Sequence, residues 1–383
     1  MTGKIPKFFT EEEVRGIREG TNGVFSSIPA RFYYDEEIFQ FEVEHILKKN
    51  WLCIGRQDEV ENPGDYFTTR MFDEPIVIVR DGKNELHALI NVCQHRWAQV
   101  VDDGKGNVSI FTCPFHRWTY NLDGTLRGIS TQDIPGVDRK KCRMPELKLE
   151  VWQGFIFINF DQNAKPHAPQ VAAISPHMER IGMRDFRVMG STAVDATWNW
   201  KFTTEAGMEG YHHVGIHHDR INGEIPSENT APLDFGEGCL SYRMWWVDGV
   251  PEEYRQPFGT PPGKKGVDWD DDPRVLCAFP NWATWMNNYQ TTYHIMEIGN
   301  TVAPNNVKVC QAFPPWAINS PNAEEAIKGQ LEFAKEVQKE DSYACRMLQK
   351  GITSKSNKRT LMHPLEKQMN HYHNWYLNQF LVT

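Results

Sequence analysis

The sequence predicts an α+β chain: a small all-β unit, then a larger unit in which helices cover a curved antiparallel sheet. Three observations predict it. From Trp51 to about Asp161, short β-branched and aromatic runs alternate with turn residues and show no helical period. Beyond residue 166 the strand-like runs Tyr242–Val247, Thr284–Ile298 and Val307–Phe313 are longer and read as one sheet. From Ser320 to Gly351 the apolar residues Ile327, Leu331, Ala334 and Val337 keep helical spacing, so one long helix is expected to cover that sheet. The expected division is N-terminal helices over 1–50 packing on the larger domain, the β domain over 51–165, and the α+β domain over 166–383.

The N-terminal elements are set by capping. Thr10-Glu-Glu-Glu13 is a capping box that opens a short helix, and Asp35 caps a second in which Phe39, Val43, Ile46 and Leu47 share a face. In the β unit, Pro75–Arg80 and Leu86–Val92 are strands joined through Asp81-Gly82. Asn121-Leu-Asp-Gly124 is a hairpin turn, and Phe155–Phe160 is the last strand. The stretch Pro251–Pro273 has no period and reads as a long loop, either a mobile lid or a disordered excursion.

Composition excludes several functions. A net charge of −9 argues against nucleic acid as a partner. No apolar run approaches the roughly 20 residues of a membrane span, and the first residues lack a signal-peptide core. Eight cysteines over 383 residues are not a disulfide framework, and a reducing cytoplasm is the expected location.

Chemistry begins in the β unit. Cys93-x-His95 and Cys113-x-x-His116 are two tight ligand pairs with seventeen residues between them. Two thiolates and two imidazoles suit either a zinc site or a Rieske [2Fe–2S] cluster, where two Cys hold one iron and two His the other. Zinc fingers group like with like. Here each loop carries one of each, the order of a Rieske centre. The second chemical stretch, Asn199–His218, holds four His within seven residues, namely His212, His213, His217 and His218. A mononuclear Fe(II) that activates O2 needs two imidazoles and one carboxylate on one face. His213-x3-His217 also has zincin spacing, but Val214 stands where the zincin Glu belongs.

With Cys93–His116, Trp51, Pro63-Gly-Asp65, the Pro75–Arg80 strand and Gly154–Asn159, the chain resembles the α subunit of Rieske non-haem iron aromatic-ring-hydroxylating oxygenases. The resemblance implies an all-β Rieske domain plus a helix-grip-like catalytic domain. It implies a [2Fe–2S] cluster on Cys93, His95, Cys113 and His116. It departs from the family where Gly usually follows the first His-Arg and the second His, since Trp97 and Arg117 stand there. Matching Glu-x-Tyr-His-x4-His selects His212 and His217 as iron ligands. They lie five apart, so a helix must end or bulge between them, and Gly215 is in that interval. The helix Glu340-Asp341…Gln-x-Gly351 implies Asp341 as the third ligand, with Glu340 the competing carboxylate. Glu209 takes the place of the family carboxylate, often Asp, that bridges a cluster His of one subunit to an iron His of the next. Ala206 stands where many relatives have Asn.

The implied function is a terminal oxygenase, mono- or dioxygenase, fed through a reductase or ferredoxin. O2 is its cosubstrate, NAD(P)H serves only indirectly, and a homotrimer acts on a small organic substrate, as in aromatic hydrocarbon catabolism. Ring hydroxylation and oxidative dealkylation both fit. A quaternary-amine (betaine- or carnitine-like) monooxygenase is the alternative, because relatives with Glu at the bridge include such enzymes. A bare electron carrier and a zinc-stabilised non-enzymatic protein are the remaining classes. Trp245, Trp285, Tyr289, Tyr293 and Met296 are the candidate pocket residues, as aromatic or soft side chains on the sheet near the metal.

Overall fold

The computed structural model describes residues 6–21, 23–132, 134–136, 138–139, 141–259, 272–356 and 360–381. Helix α1 (Glu11–Arg18) opens on the expected capping box, with Glu13 N–H donating to Thr10 Oγ1 at 3.3 Å and Thr10 N–H to Glu13 Oε2 at 2.9 Å. Helix α2 (Glu36–His45) starts at Asp35, whose Oδ1 accepts from Glu37 and Ile38 N–H. Both pack on the far end of the chain, where Phe32 meets Tyr376 and Phe380 edge-on. Beneath them Glu42 and Lys201, both fully buried, pair at 2.8 Å.

Strands β1 (Leu52–Arg56), β2 (Asp65–Met71), β3 (Glu74–Arg80), β4 (Leu86–Ile90) and β5 (Lys105–Asn107) belong to the first sheet, with β9 (Glu146–Trp152) and β10 (Phe155–Asn159). Its order is β1-β10-β9-β4-β3-β2-β5, antiparallel throughout. A three-stranded ribbon of β6 (Phe111–Thr112), β7 (Thr119–Tyr120) and β8 (Leu126–Gly128) stands apart from it. One Cys/His loop joins β4 to β5, and the other joins β6 to β7.

Helix α3 (Ser175–Ile181) leads into the second sheet. This comprises β11 (Arg187–Ala196), β12 (Thr230–Phe235), β13 (Cys239–Met244), β14 (Arg274–Ala278), β15 (Trp282–Met286), β16 (Thr291–Glu297) and β17 (Asn305–Phe313), in the order β11-β17-β16-β15-β14-β13-β12. Helix α4 (Trp200–Ala206) follows β11, and the short α5 (Glu252–Arg255) and α6 (Pro315–Ile318) flank later strands. The 30-residue helix α7 (Ala323–Ile352) and the closing helix α8 (Lys367–Gln379) follow the sheet. Helix α7 approaches β11 closely at Gly190, where a Cβ would lie 2.3 Å from Leu331 Cδ2.

The two sheets meet through buried groups. Phe155 packs edge-on against Trp282 and Tyr293, each at 4.9 Å. Asn281 closes the junction by accepting from Cys53 N–H and donating to the Cys53 carbonyl, both at 2.9 Å.

The expected strand Thr284–Ile298 is two strands, because Asn287–Gln290 turns the chain: Asn287 N–H donates to the Gln290 carbonyl at 3.1 Å. The expected strand Tyr242–Val247 ends at Met244. Gly351 does not stop α7, which runs one residue past it and is capped by Thr353. Of the expected Pro251–Pro273 loop, Glu252–Arg255 is helical and residues 260–271 lie outside the described residues. No helix among the described residues is long and apolar enough to cross a membrane.

Candidate metal centres and the cavity beside them

The two Cys/His loops are the same turn built twice. Cys93 N–H donates to the Ala98 carbonyl at 2.8 Å, and the Cys93 carbonyl accepts from Trp97 N–H at 3.1 Å. In the second loop Cys113 N–H donates to the Trp118 carbonyl at 2.8 Å, and its carbonyl accepts from Arg117 N–H at 3.0 Å. The fourth residue after each Cys is left-handed, with φ of +53° at Trp97 and +60° at Arg117. That is why a glycine suits these positions, and why two bulky residues there are unusual.

His95 stacks on Trp118 at 4.9 Å, and the His95 and His116 rings lie 4.7 Å apart. Both Nδ1 atoms are buried without a hydrogen-bond partner, beside the buried Cys93 and Cys113. Buried ring nitrogens beside buried thiols fit metal coordination, which supplies the missing partner. Among the described residues, the sets whose ligand atoms gather within 4.8 Å are His212–His217–Asp341 and Asp81–Glu85–His87. The four Cys/His residues do not gather within that distance, which suits a two-iron cluster better than a single tetrahedral zinc.

The second centre forms where α4 gives way to irregular backbone. A single 3₁₀ turn spans Tyr211–Val214 and ends at Gly215, so His212 and His217 are freed from helical phase and face one point. Asp341 reaches that point from the middle of α7, its Oδ1 3.0 Å from His217 Nε2.

Two carboxylates stand behind the imidazoles. Glu209 Oε1 lies 2.6 Å from His212 Nδ1, and its Oε2 accepts from His212 N–H at 3.0 Å. Glu340 Oε2 lies 2.8 Å from His217 Nδ1, while its Oε1 accepts from Arg220 Nε at 2.6 Å. Each carboxylate therefore fixes the tautomer that bares Nε2 toward Asp341. Burial alone would disfavour a charged His212, but the Glu209 carboxylate outweighs it and holds the imidazole up at about 9. Burial likewise opposes ionisation of Asp341, and His217 and then His212 more than reverse this, keeping its carboxyl below the ordinary range. These groups fit a 2-His-1-carboxylate iron site with oriented ligands. His213 is a core group instead: burial first, then His212, pushes it down to about 4, and its Nδ1 meets the Ile225 carbonyl at 3.0 Å. His218 is exposed.

A cavity of about 450 Å³ opens beside the trio. Its walls include Trp198, Ala206, Ile221, Met244, Trp246, Trp285, Tyr289 and Phe333. Of the candidate pocket residues, Trp285 and Tyr289 line it. Tyr293 does not: alternation along β16 turns Thr292 and His294 to the cavity and Tyr293 to the opposite face, against Phe155. Met296 lies farther along β16, buried in the core beyond the cavity. Trp245 lies past the end of β13, with its backbone tied to Asn229, and the adjacent Trp246 lines the cavity in its place.

Sequence reasoning missed Glu340 as the partner of His217. It also missed His294, whose Nε2 meets Gln338 Oε1 at 2.9 Å one helical turn from Asp341. A histidine between Tyr293 and Ile295 was the available signal.

Residues 50–138 match the Rieske [2Fe-2S] domain family, and residues 183–380 match the family described as ring hydroxylating alpha subunit (catalytic domain). The glycine betaine monooxygenase oxygenase subunit of Pseudomonas aeruginosa is 31% identical over 232 residues, covering 59% of this chain and 54% of the relative. The benzene 1,2-dioxygenase subunit alpha of Pseudomonas putida is 30% identical over 233 residues, 57% of this chain and 51% of the relative. The match thus spans about half the length of these curated relatives. A crystal structure of a quaternary ammonium Rieske monooxygenase superposes with a TM-score of 0.81 over 96% of this chain and 98% of that one, at 21% identity, a likeness of fold. With the ring-hydroxylating catalytic family matched over more than half its length and a Rieske domain ahead of it, this chain belongs to the Rieske oxygenase α subunits.

Proposed function

We propose that this chain is the terminal oxygenase of a Rieske system, which uses O2 and electrons from a separate reductase or ferredoxin to oxidise a small organic molecule. The observation that carries the reading is the His212–His217–Asp341 trio, gathered within 4.8 Å at the wall of a largely apolar cavity. Iron held there supplies O2 activation, and a [2Fe–2S] cluster on Cys93, His95, Cys113 and His116 supplies one-electron reduction. Glu209 and Glu340 hold His212 and His217 in one orientation, and Asp341 completes the face. Trp246, Trp285 and Phe333 exclude water and pin the substrate beside it.

The division we propose is a helical segment over 1–50, a cluster domain over 51–165 and a catalytic domain over 166–383. Electrons are proposed to cross between subunits of a homotrimer, from His116 of one copy to Glu209 of the next. Two exposed surfaces support this route. Trp97 is 83% exposed and Phe115 56% beside the cluster loops, and Tyr211 and Val214 are exposed beside Glu209, so each centre has an apolar rim for a neighbour to cover. Eight free cysteines suit the cytoplasm, the location we assign.

A second substrate reading, a quaternary amine, is favoured by one feature: Glu224 and Glu253 line the cavity together with Trp246, Trp285 and Tyr254. The test of the main reading is turnover with a surrogate reductase under isotopically labelled oxygen gas, across aromatic and trimethylammonium compounds. Label in a product is expected. Reductant consumption without labelled product from any compound contradicts the reading.

A further inference from the structure

Helix α7 carries Asp341 across the second sheet, yet few buried apolar residues hold it there. A covering helix normally buries an apolar stripe. Of the 30 residues of α7, the buried ones are Ile327, Gln338, Ser342 and Cys345, so half of that set is polar. The cavity is the physical reason. Ala334, Val337 and Gln338 of α7 line it, as do Thr292, His294 and Gln311 of the sheet, so open space lies where helix and sheet would otherwise pack.

Hydrogen bonds span the gap instead. His294 Nε2 of β16 meets Gln338 Oε1 at 2.9 Å, and Gln338 Nε2 donates to Ser342 Oγ at 3.1 Å. Gln338 is 6% exposed and Ser342 3%, so these bonds are largely shielded from bulk water. Gln338 precedes Asp341 by three residues and Ser342 follows it directly, so the chain of bonds reaches the helix on both sides of the metal-facing carboxylate. Farther back, Gln311 Nε2 of β17 donates to the Gln330 carbonyl at 3.1 Å. That second tether lies about 16 Å from Asp341 along the helix axis, against about 4.5 Å for Gln338.

We infer that His294 is a positioning residue for the metal centre: through Gln338 it sets the height and rotation of α7 at Asp341. It acts on the helix and needs no contact with the metal. Glu340, bonded to His217 and Arg220, anchors the same turn from the other element of the site. Asp341 is thereby held between two polar anchors, and its Oδ1 meets His217 at 3.0 Å. The inference rests on the oxygenase reading, in which the trio holds iron.

The test compares wild type, His294→Leu, His294→Gln, Gln338→Met and Gln311→Met, each with its cluster intact and loaded with ferrous iron. Iron affinity is read by competition with a chelator, and site geometry by the EPR spectrum of the nitric oxide adduct. His294→Leu is expected to bind iron roughly three- to ten-fold more weakly, with a broadened or shifted spectrum, a smaller loss than for a group bonded directly to a ligand. A glutamine amide reaches as far as the imidazole Nε2 and still donates, so His294→Gln should restore the spectrum, and the affinity to within about two-fold. Gln338→Met cuts the same bond from the helix side, should lose at least as much, and decides the matter should His294→Leu fail to fold. Gln311→Met removes the distant tether and should leave iron affinity within about two-fold of wild type.

Four results overturn the inference. They are unchanged affinity and spectrum in His294→Leu, no recovery in His294→Gln, wild-type affinity in Gln338→Met, and an equal loss in Gln311→Met. Wild type that takes up no iron at the trio sinks the oxygenase reading and this inference with it. Iron uptake that is indifferent to His294 sinks this inference alone.

Discussion

Glu209 grips His212 twice, at the ring through Oε1 and at the backbone through Oε2. One carboxylate thus caps the 3₁₀ turn and sets the direction of the imidazole, so the backbone and the ring are positioned together. The Tyr242 hydroxyl then anchors Glu209 from behind by donating to its carbonyl at 3.1 Å. Glu340 repeats the carboxylate–imidazole arrangement at His217 from a different element, α7.

That second pair gives the first prediction. Glu340→Ala should keep the iron site but weaken iron affinity by about 10–100-fold, through loss of the partner that orients His217. Asp341→Ala should remove the site outright. Iron titration of both variants checks this. Indistinguishable affinities would mean that the two carboxylates are not ligand and support.

What the sequence made legible divides along physical lines. Cys93, His95, Cys113, His116, His212, His217 and Asp341 stood out because metal chemistry restricts residue type and spacing. Thr10 and Asp35 stood out because capping is local. Both edge strands of the second sheet, β11 and β12, went unread, since an edge with one exposed face lacks an apolar pattern: β11 alternates half-buried and exposed along almost its whole length. Facing was hidden in β16 for the opposite reason. It is covered on both sides, so Tyr293 and His294 give no sign of which one meets the cavity. The role of Glu340 behind His217 was hidden, because beside Asp341 it reads only as a competing ligand or a solvated charge until His217 is placed.

The second prediction concerns the buried pair that ties the N-terminal helices down. Glu42 accepts from Lys201 at 2.8 Å, from Trp200 Nε1 at 3.0 Å and from the Tyr376 hydroxyl. Lys201→Met strands the Glu42 charge and should cost about 3–5 kcal/mol, while Glu42→Leu with Lys201→Met should recover much of it. Denaturant melts of the single and double variants check this. A double variant as unstable as the single one would contradict it.

A third prediction follows from the repeated turn. Trp97 and Arg117 hold left-handed backbone that costs an L-residue more than a glycine. Trp97→Gly and Arg117→Gly should each stabilise the chain by roughly 0.5–1 kcal/mol, measured as a rise in Tm, with the cluster retained. A fall in Tm for both would mean that these side chains contribute more than their backbone costs.

The fourth prediction is a pH dependence away from the metals. His167 lies among Trp51, Trp152 and Phe157, and burial pushes it down to about 4. Between about 6.5 and 4 the unfolded chain takes up a proton that the folded chain refuses. Stability from this group is therefore constant above that window and falls through it as pH drops, by at most roughly 3 kcal/mol. His167→Phe should flatten this part of the Tm–pH profile, and an unchanged slope would count against it.

The proposed function places two separate iron centres in one chain, a cluster on the Cys/His loops and a single ion on His212, His217 and Asp341. Its most direct test is the iron and acid-labile sulfide content of purified wild type and Asp341→Ala, read alongside the reduced-state EPR spectrum. The wild type should hold about three irons and about two sulfides per chain, and Asp341→Ala about two of each, with the cluster signal unchanged. Equal iron in the two proteins, loss of the cluster signal in Asp341→Ala, or zinc in place of iron and sulfide would contradict it.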